Sequence, residues 1–189
     1  MTGKRKGFSL FEMLIVVAIM GVIALAAVPV AEISYIKTQE TLLENNLATI
    51  REAILLWNRD CRNVVAANGF LFKVSESQML PPTLEAMVNP SPPYVIDDRD
   101  GNPVVSFYPR PYLNAMPADP FIGAAEWVVH YASAPKTGTE FSVGTYAAGI
   151  TSSLDSTTHV GVFDVSCNPD PARRRGFVTA IDGTKYQDW

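Results

Sequence analysis

The sequence predicts an α+β fold: one long amino-terminal helix, membrane-spanning through its first half, packs its second half on a small antiparallel β-sheet head. Three observations predict it. Residues 8–30 form an almost unbroken apolar run. Apolar residues then recur at helical spacing from Leu43 to Cys61. The remainder alternates short β-branched and aromatic runs with Gly, Pro and Ser punctuation.

The apolar run is 23 residues long. About 20 apolar residues at 1.5 Å rise cross a hydrocarbon core of roughly 30 Å. Lys4, Arg5 and Lys6 stand just ahead of it and favour a cytoplasmic amino terminus. A secretory signal peptide would have an apolar stretch of roughly 7–15 residues and a small-residue cleavage site. This run is longer, and Ala26-Ala27-Val28-Pro29 is a poor site of that kind. One acid, Glu12, interrupts the run near its start. A lone carboxylate costs about 2.5–3.5 kcal/mol at mid-membrane, and less near the interface, so Glu12 calls for a partner.

Beyond Pro29, Leu43, Leu47, Ile50, Ile54, Trp57 and Cys61 fall on one helix face. Lys37, Glu40, Glu44, Asn45, Arg51, Glu52 and Arg59 fall on a wetter one. A single helix over residues 8–62 follows, with Pro29 kinking it or loosening one turn. The amphipathic part covers only about three heptads, which favours packing on its own head over a coiled coil.

Residues 64–77 read as loop or weak strand, and residues 79–88 as a turn and short helix capped by Thr83. Residues 94–96 and 104–107 flank Asp97-Asp98-Arg99-Asp100-Gly101-Asn102-Pro103, a hairpin signal. Asp98, Asp100 and Asn102 alternate like oxygen ligands for calcium, but no Glu closes the set at the EF-hand distance, and the plain turn is preferred. Residues 111–121 hold three prolines and form a rigid loop. Residues 126–131, 141–146 and 159–165 read as strands of an antiparallel sheet. The triple arginine Arg173-Arg174-Arg175 reads as a solvated loop, or as a docking patch for an acidic face or anionic headgroups.

Gly7-Phe8-Ser9-Leu10-Phe11-Glu12 and the run behind it resemble the class III signal of type IV prepilins and type II secretion pseudopilins. The resemblance implies a pilin-like fold, cleavage between Gly7 and Phe8 by a membrane-embedded peptidase, and N-methylation of Phe8. Glu12 then becomes fifth in the mature chain and Pro29 twenty-second, where the family commonly has a glutamate and a helix-kinking proline. Residues 79–88, the loop at 111–121 and the ending from Asp164 to Trp189 are similar to segments of the major pseudopilin family. The implied organisation is a leader at 1–7, a transmembrane stem at 8–30, an amphipathic stem at 31–62 and a periplasmic head at 63–189.

Glu12 also has a physical rationale of its own. Cleavage leaves the Phe8 amine at the edge of hydrocarbon without a counter-ion. If spans stack side by side, Glu12 of one copy can face the Phe8 amine of the next, and each offsets the other's desolvation. The implied function is a structural subunit of a type II secretion pseudopilus, with a type IV surface pilin as the alternative. A tip subunit fits less well, because such subunits often lack the glutamate. The implied partners are further copies in a homopolymer, other pseudopilins, the prepilin peptidase and an inner-membrane assembly platform.

The formal charge is −4, and loss of the leader's three cations takes it to −7 by formal count. So acidic a chain is not expected to bind nucleic acid. An oxidising periplasm permits a disulfide between Cys61 and Cys167, with two inert thiols as the alternative. No cofactor is expected. Calcium is the one metal considered, because major pseudopilins hold it in a C-terminal loop. This chain lacks a clear counterpart of that loop, and Asp164, Asp170, Asp182 and Asp188 are candidate ligands by chemistry only. No nucleophile motif, phosphate loop or HExxH occurs, and His130 and His159 read as strand residues, so an enzyme is not expected.

Overall fold

The computed structural model describes residues 9–135, 142–146 and 158–189. The chain divides into an amino-terminal unit that ends at Glu40 and a second unit, Thr41–Trp189. Helix α1, Leu10–Ala67, contributes to both.

In the first unit the large apolar side chains from Leu10 to Ile33 are exposed, so no protein core accounts for them. Among the described residues, α1 is the one helix long and apolar enough to cross a membrane. It continues through Pro29. Proline has no N–H to give Leu25's carbonyl, so the helix carries one missing rung there.

In the second unit α1 buries Leu43, Leu47, Ile50, Ile54, Trp57, Cys61 and Val65, all at helical spacing. The helix therefore ends five residues beyond the expected Arg62. Its end is a Schellman motif. The Gly69 N–H donates to the Ala66 carbonyl at 3.0 Å and the Phe70 N–H to the Val65 carbonyl at 3.1 Å. Gly69 supplies the required left-handed backbone at φ +76°. The stop signal is that glycine.

Of residues 64–77, the first four complete α1, residues 68–75 are the loop rather than a strand, and a 3₁₀ turn, Glu76–Met79, begins at the end of the stretch. Helix α2, Glu85–Val88, follows, and Thr83 Oγ1 accepts the Ala86 N–H as its cap. Strands β1, Tyr94–Asp97, and β2, Pro103–Phe107, form an antiparallel hairpin. Asp98 Oδ1 accepts the Asp100 and Asn102 N–H groups, and Gly101 takes φ +85°, so the acid here builds the turn. A second sheet has the order β4-β3-β5, all antiparallel, from β3, Trp127–Pro135, β4, Ser142–Tyr146, and β5, Thr158–Cys167.

The α1 stripe forms one core with residues of both sheets. Trp57 anchors it, with its ring 5.5 Å from Phe107, 5.6 Å from Tyr112 and 6.0 Å from Tyr94. Strand β5 is drawn tightly against the 3₁₀ turn. The Val162 N–H donates to the Pro81 carbonyl at 2.7 Å, and a Cβ on Gly161 would lie 2.3 Å from the Ser77 carbonyl oxygen. The contact is with backbone and cannot swing aside. Gly161→Ala is therefore expected to destabilise the head by about 1–3 kcal/mol, read as a lower Tm by circular dichroism. An unchanged Tm would contradict the close approach.

Candidate functional site

The sequence places its chemistry at the start of α1. Gly7 and Phe8, the expected cleavage and methylation positions, lie outside the described residues. The next residues build a capping box. Ser9 precedes the helix, and its carbonyl accepts the Met13 N–H at 3.2 Å. Its Oγ accepts the Phe11 N–H at 3.3 Å. Glu12 reaches back so that Oε2 accepts the Ser9 N–H at 3.0 Å. Two amides that a helix start leaves unpaired are thus satisfied reciprocally. The carboxylate also sits at the positive end of the helix dipole.

This arrangement gives Glu12 two capacities. One oxygen fixes where the helix begins, while a carboxylate retains acceptor sites for a cation. Leu10, Phe11, Met13 and Leu14 around it are all exposed, so the acid stands in an apolar surface. The Ser-x-x-Glu spacing of Ser9 and Glu12 is the sequence signal for this cap, and it lies where the apolar run makes the same glutamate stand out as a lone charge.

Residues 2–28 match a family model described as the prokaryotic N-terminal methylation motif. No curated protein and no solved structure matches the chain. The motif is a prepilin-type signal of pilin-like proteins and implies processing by a prepilin peptidase and pilin-like polymerisation.

The other sequence-selected residues are dispersed. Cys61 faces the core beside Tyr94, whereas Cys167 ends β5 opposite Trp127 and lies near Arg174 and Asp119. Both are buried free thiols, so the bridge expected between them is absent. Their different neighbours explain why: one belongs to the helix stripe and the other to the far end of a strand. Asp164 pairs with Arg51 Nε at 2.8 Å and also accepts the Val165 N–H. Asp182 accepts the N–H and hydroxyl of Thr184. Asp188 lies in the terminal 3₁₀ turn, Tyr186–Asp188. Among the described residues no three metal-ligating side chains converge. His130 Nε2 lies 2.9 Å from Ser166 Oγ, a cross-strand contact between neighbours in the sheet.

The triple arginine is neither a uniformly solvated loop nor a single patch. Arg173 pairs with Glu126 on the surface. Arg174 turns inward, its side chain 1% exposed, and its Nη1 donates to buried Asp119 at 2.6 Å. Arg175 is exposed and takes φ 53°. Nothing local in the sequence separates the middle arginine from its neighbours.

Burial pushes the Cys61 thiol up to about 12 and the Cys167 thiol up to about 11, the latter against a lowering effect of Arg174. Raised values keep both thiols protonated through neutral pH and so poorly nucleophilic. Native protein is expected to leave a thiol reagent unreacted at mildly alkaline pH, and non-reducing denaturation should release two thiols. Release of none would establish a disulfide.

Proposed function

We propose that this chain is the repeating subunit of a periplasmic pseudopilus that drives protein export by a type II secretion system. The observation that carries the reading is Glu12. It is an acid in the first turn of an apolar, membrane-length helix, inside the matched prepilin-type motif. After cleavage between Gly7 and Phe8, and methylation of Phe8, the new amine needs a counter-ion in a medium that solvates it poorly. Glu12 of a neighbouring copy supplies it, and removing either partner leaves an unpaired charge worth several kcal/mol. The pair sets the register in which spans add to the polymer.

In this reading the span anchors the chain in the inner membrane, with the leader cytoplasmic and the head periplasmic. Other pseudopilins and an inner-membrane assembly platform are its partners, and the product is a structural filament with no catalytic step. Residues 111–121 and the Asp164–Trp189 ending, both similar to the major pseudopilin family, support a pseudopilus over a surface pilus. The cysteines support it too, since pilins more often close a C-terminal loop between two late cysteines, and here one stands on the stem helix.

Deleting the gene in its own host tests the reading. Folded exoproteins are expected to disappear from the medium and collect in the periplasm while surface fibres persist. Loss of long fibres with intact secretion would make the chain a pilin subunit instead.

Two variants test Glu12 itself. Glu12→Ala is expected to insert and be processed normally but not to assemble. Glu12→Gln keeps a side chain that can cap Ser9 but carries no charge, and it is expected to fail equally. Assembly by Glu12→Gln with failure of Glu12→Ala would mean that the cap matters and the charge does not.

A further inference from the structure

We propose that Arg174 is a built-in cation that closes the C-terminal segment of the head, and that this closure is independent of calcium. The pseudopilin resemblance implies a calcium site in this segment, and the donor chemistry of this chain does not fit one. Three of its four candidate carboxylates already hold partners of their own: Asp164 holds Arg51 and the Val165 amide, Asp170 the Ala172 amide, and Asp182 Thr184. Asp188 lies in a separate turn, and no three ligating side chains come together among the described residues. Calcium takes six to eight oxygen ligands and cannot be held by carboxylates so distributed.

The acceptors that do converge surround a guanidinium. Arg174 Nη1 donates to Asp119 Oδ2 at 2.6 Å and Nε to the Phe177 carbonyl at 2.8 Å. The guanidinium carbon lies 4.7 Å from the Tyr186 ring centroid and 5.2 Å from that of Phe121, both within cation–π range. A planar, permanently charged fork fits this set, whereas a lysine ammonium would not match its two directions and two ring faces together.

The ends being joined are far apart in sequence. Asp119 belongs to the proline-rich loop and is itself fixed, its Oδ1 accepting the Phe121 N–H at 2.9 Å and its backbone bridging Ala124. Arg174 and Tyr186 belong to the tail, where the Tyr186 N–H bonds the Val178 carbonyl and the Ala180 N–H bonds Thr184. One guanidinium thus ties the tail's turns to the loop before β3. With both charges buried, loss of either partner leaves the other uncompensated.

Full-length protein in detergent, unassembled, carries the test, so its result does not depend on the filament reading. Thermal unfolding is compared in millimolar calcium and in EDTA for the native chain, Arg174→Met and Arg174→Lys. The native chain is expected to unfold at the same temperature in both, within about 1 °C. Arg174→Met should lower Tm by at least about 8 °C, with calcium giving no recovery, and Arg174→Lys should fall between. A calcium-dependent rise of several degrees in the native chain overturns the proposal, as does recovery of Arg174→Met by calcium. If Arg174→Met does not fold, the native comparison and Arg174→Lys still decide it.

Discussion

Among the described residues the head has one sheet of two strands and one of three, and so few short strands cannot hold a hydrophobic core alone. Helix α1 supplies a further layer through one stripe from Leu43 to Val65, which shares one core with residues of both sheets. Trp57 sits where the hairpin and the proline-rich loop both reach the helix, through Phe107, Tyr94 and Tyr112. Arg51 gathers Asp164, the Val165 carbonyl and the terminal Trp189 carbonyl against the same helix. The carboxyl end of the chain is therefore held at the stem, although 138 residues separate Arg51 from Trp189.

The same helix meets a different requirement in its first unit. There the apolar side chains have no protein to cover them, and within the apolar run of residues 8–30 the only acid is Glu12, at the first turn of the helix. A capping box lets that acid occupy a position that is otherwise costly. Its hydrogen bond to Ser9 lies within its own chain, so the carboxylate is oriented before a neighbour arrives. Capping and charge pairing are compatible because a carboxylate accepts from several donors at once.

The parts legible in the sequence were those with a local cause. The α1 stripe followed from helical periodicity, the β1–β2 turn from Asp-Gly chemistry, and the strands from β-branched runs between breakers. The helix end was placed too early, at residue 62, because the apolar stripe was followed only to Cys61, whereas it runs on to Val65 and the αL glycine that ends the helix is Gly69. The Ser9 cap was legible from its spacing. Arg174 was not: its place inside the head comes from Asp119, 55 residues away, while Arg173 and Arg175 beside it remain outside. The cysteines likewise could be judged only once their separate neighbours were known.

The central claim is that Glu12 of one copy pairs with the Phe8 amine of another. Solid-state NMR of filaments grown from two pools of subunits tests it most directly. One pool is isotopically labelled at the Phe8 amine nitrogen and the other at the Glu12 carboxyl carbon. The account predicts dipolar coupling between the two pools at a separation within about 5 Å, the range of an ion pair. Coupling that appears only when both labels are on the same subunit would contradict it.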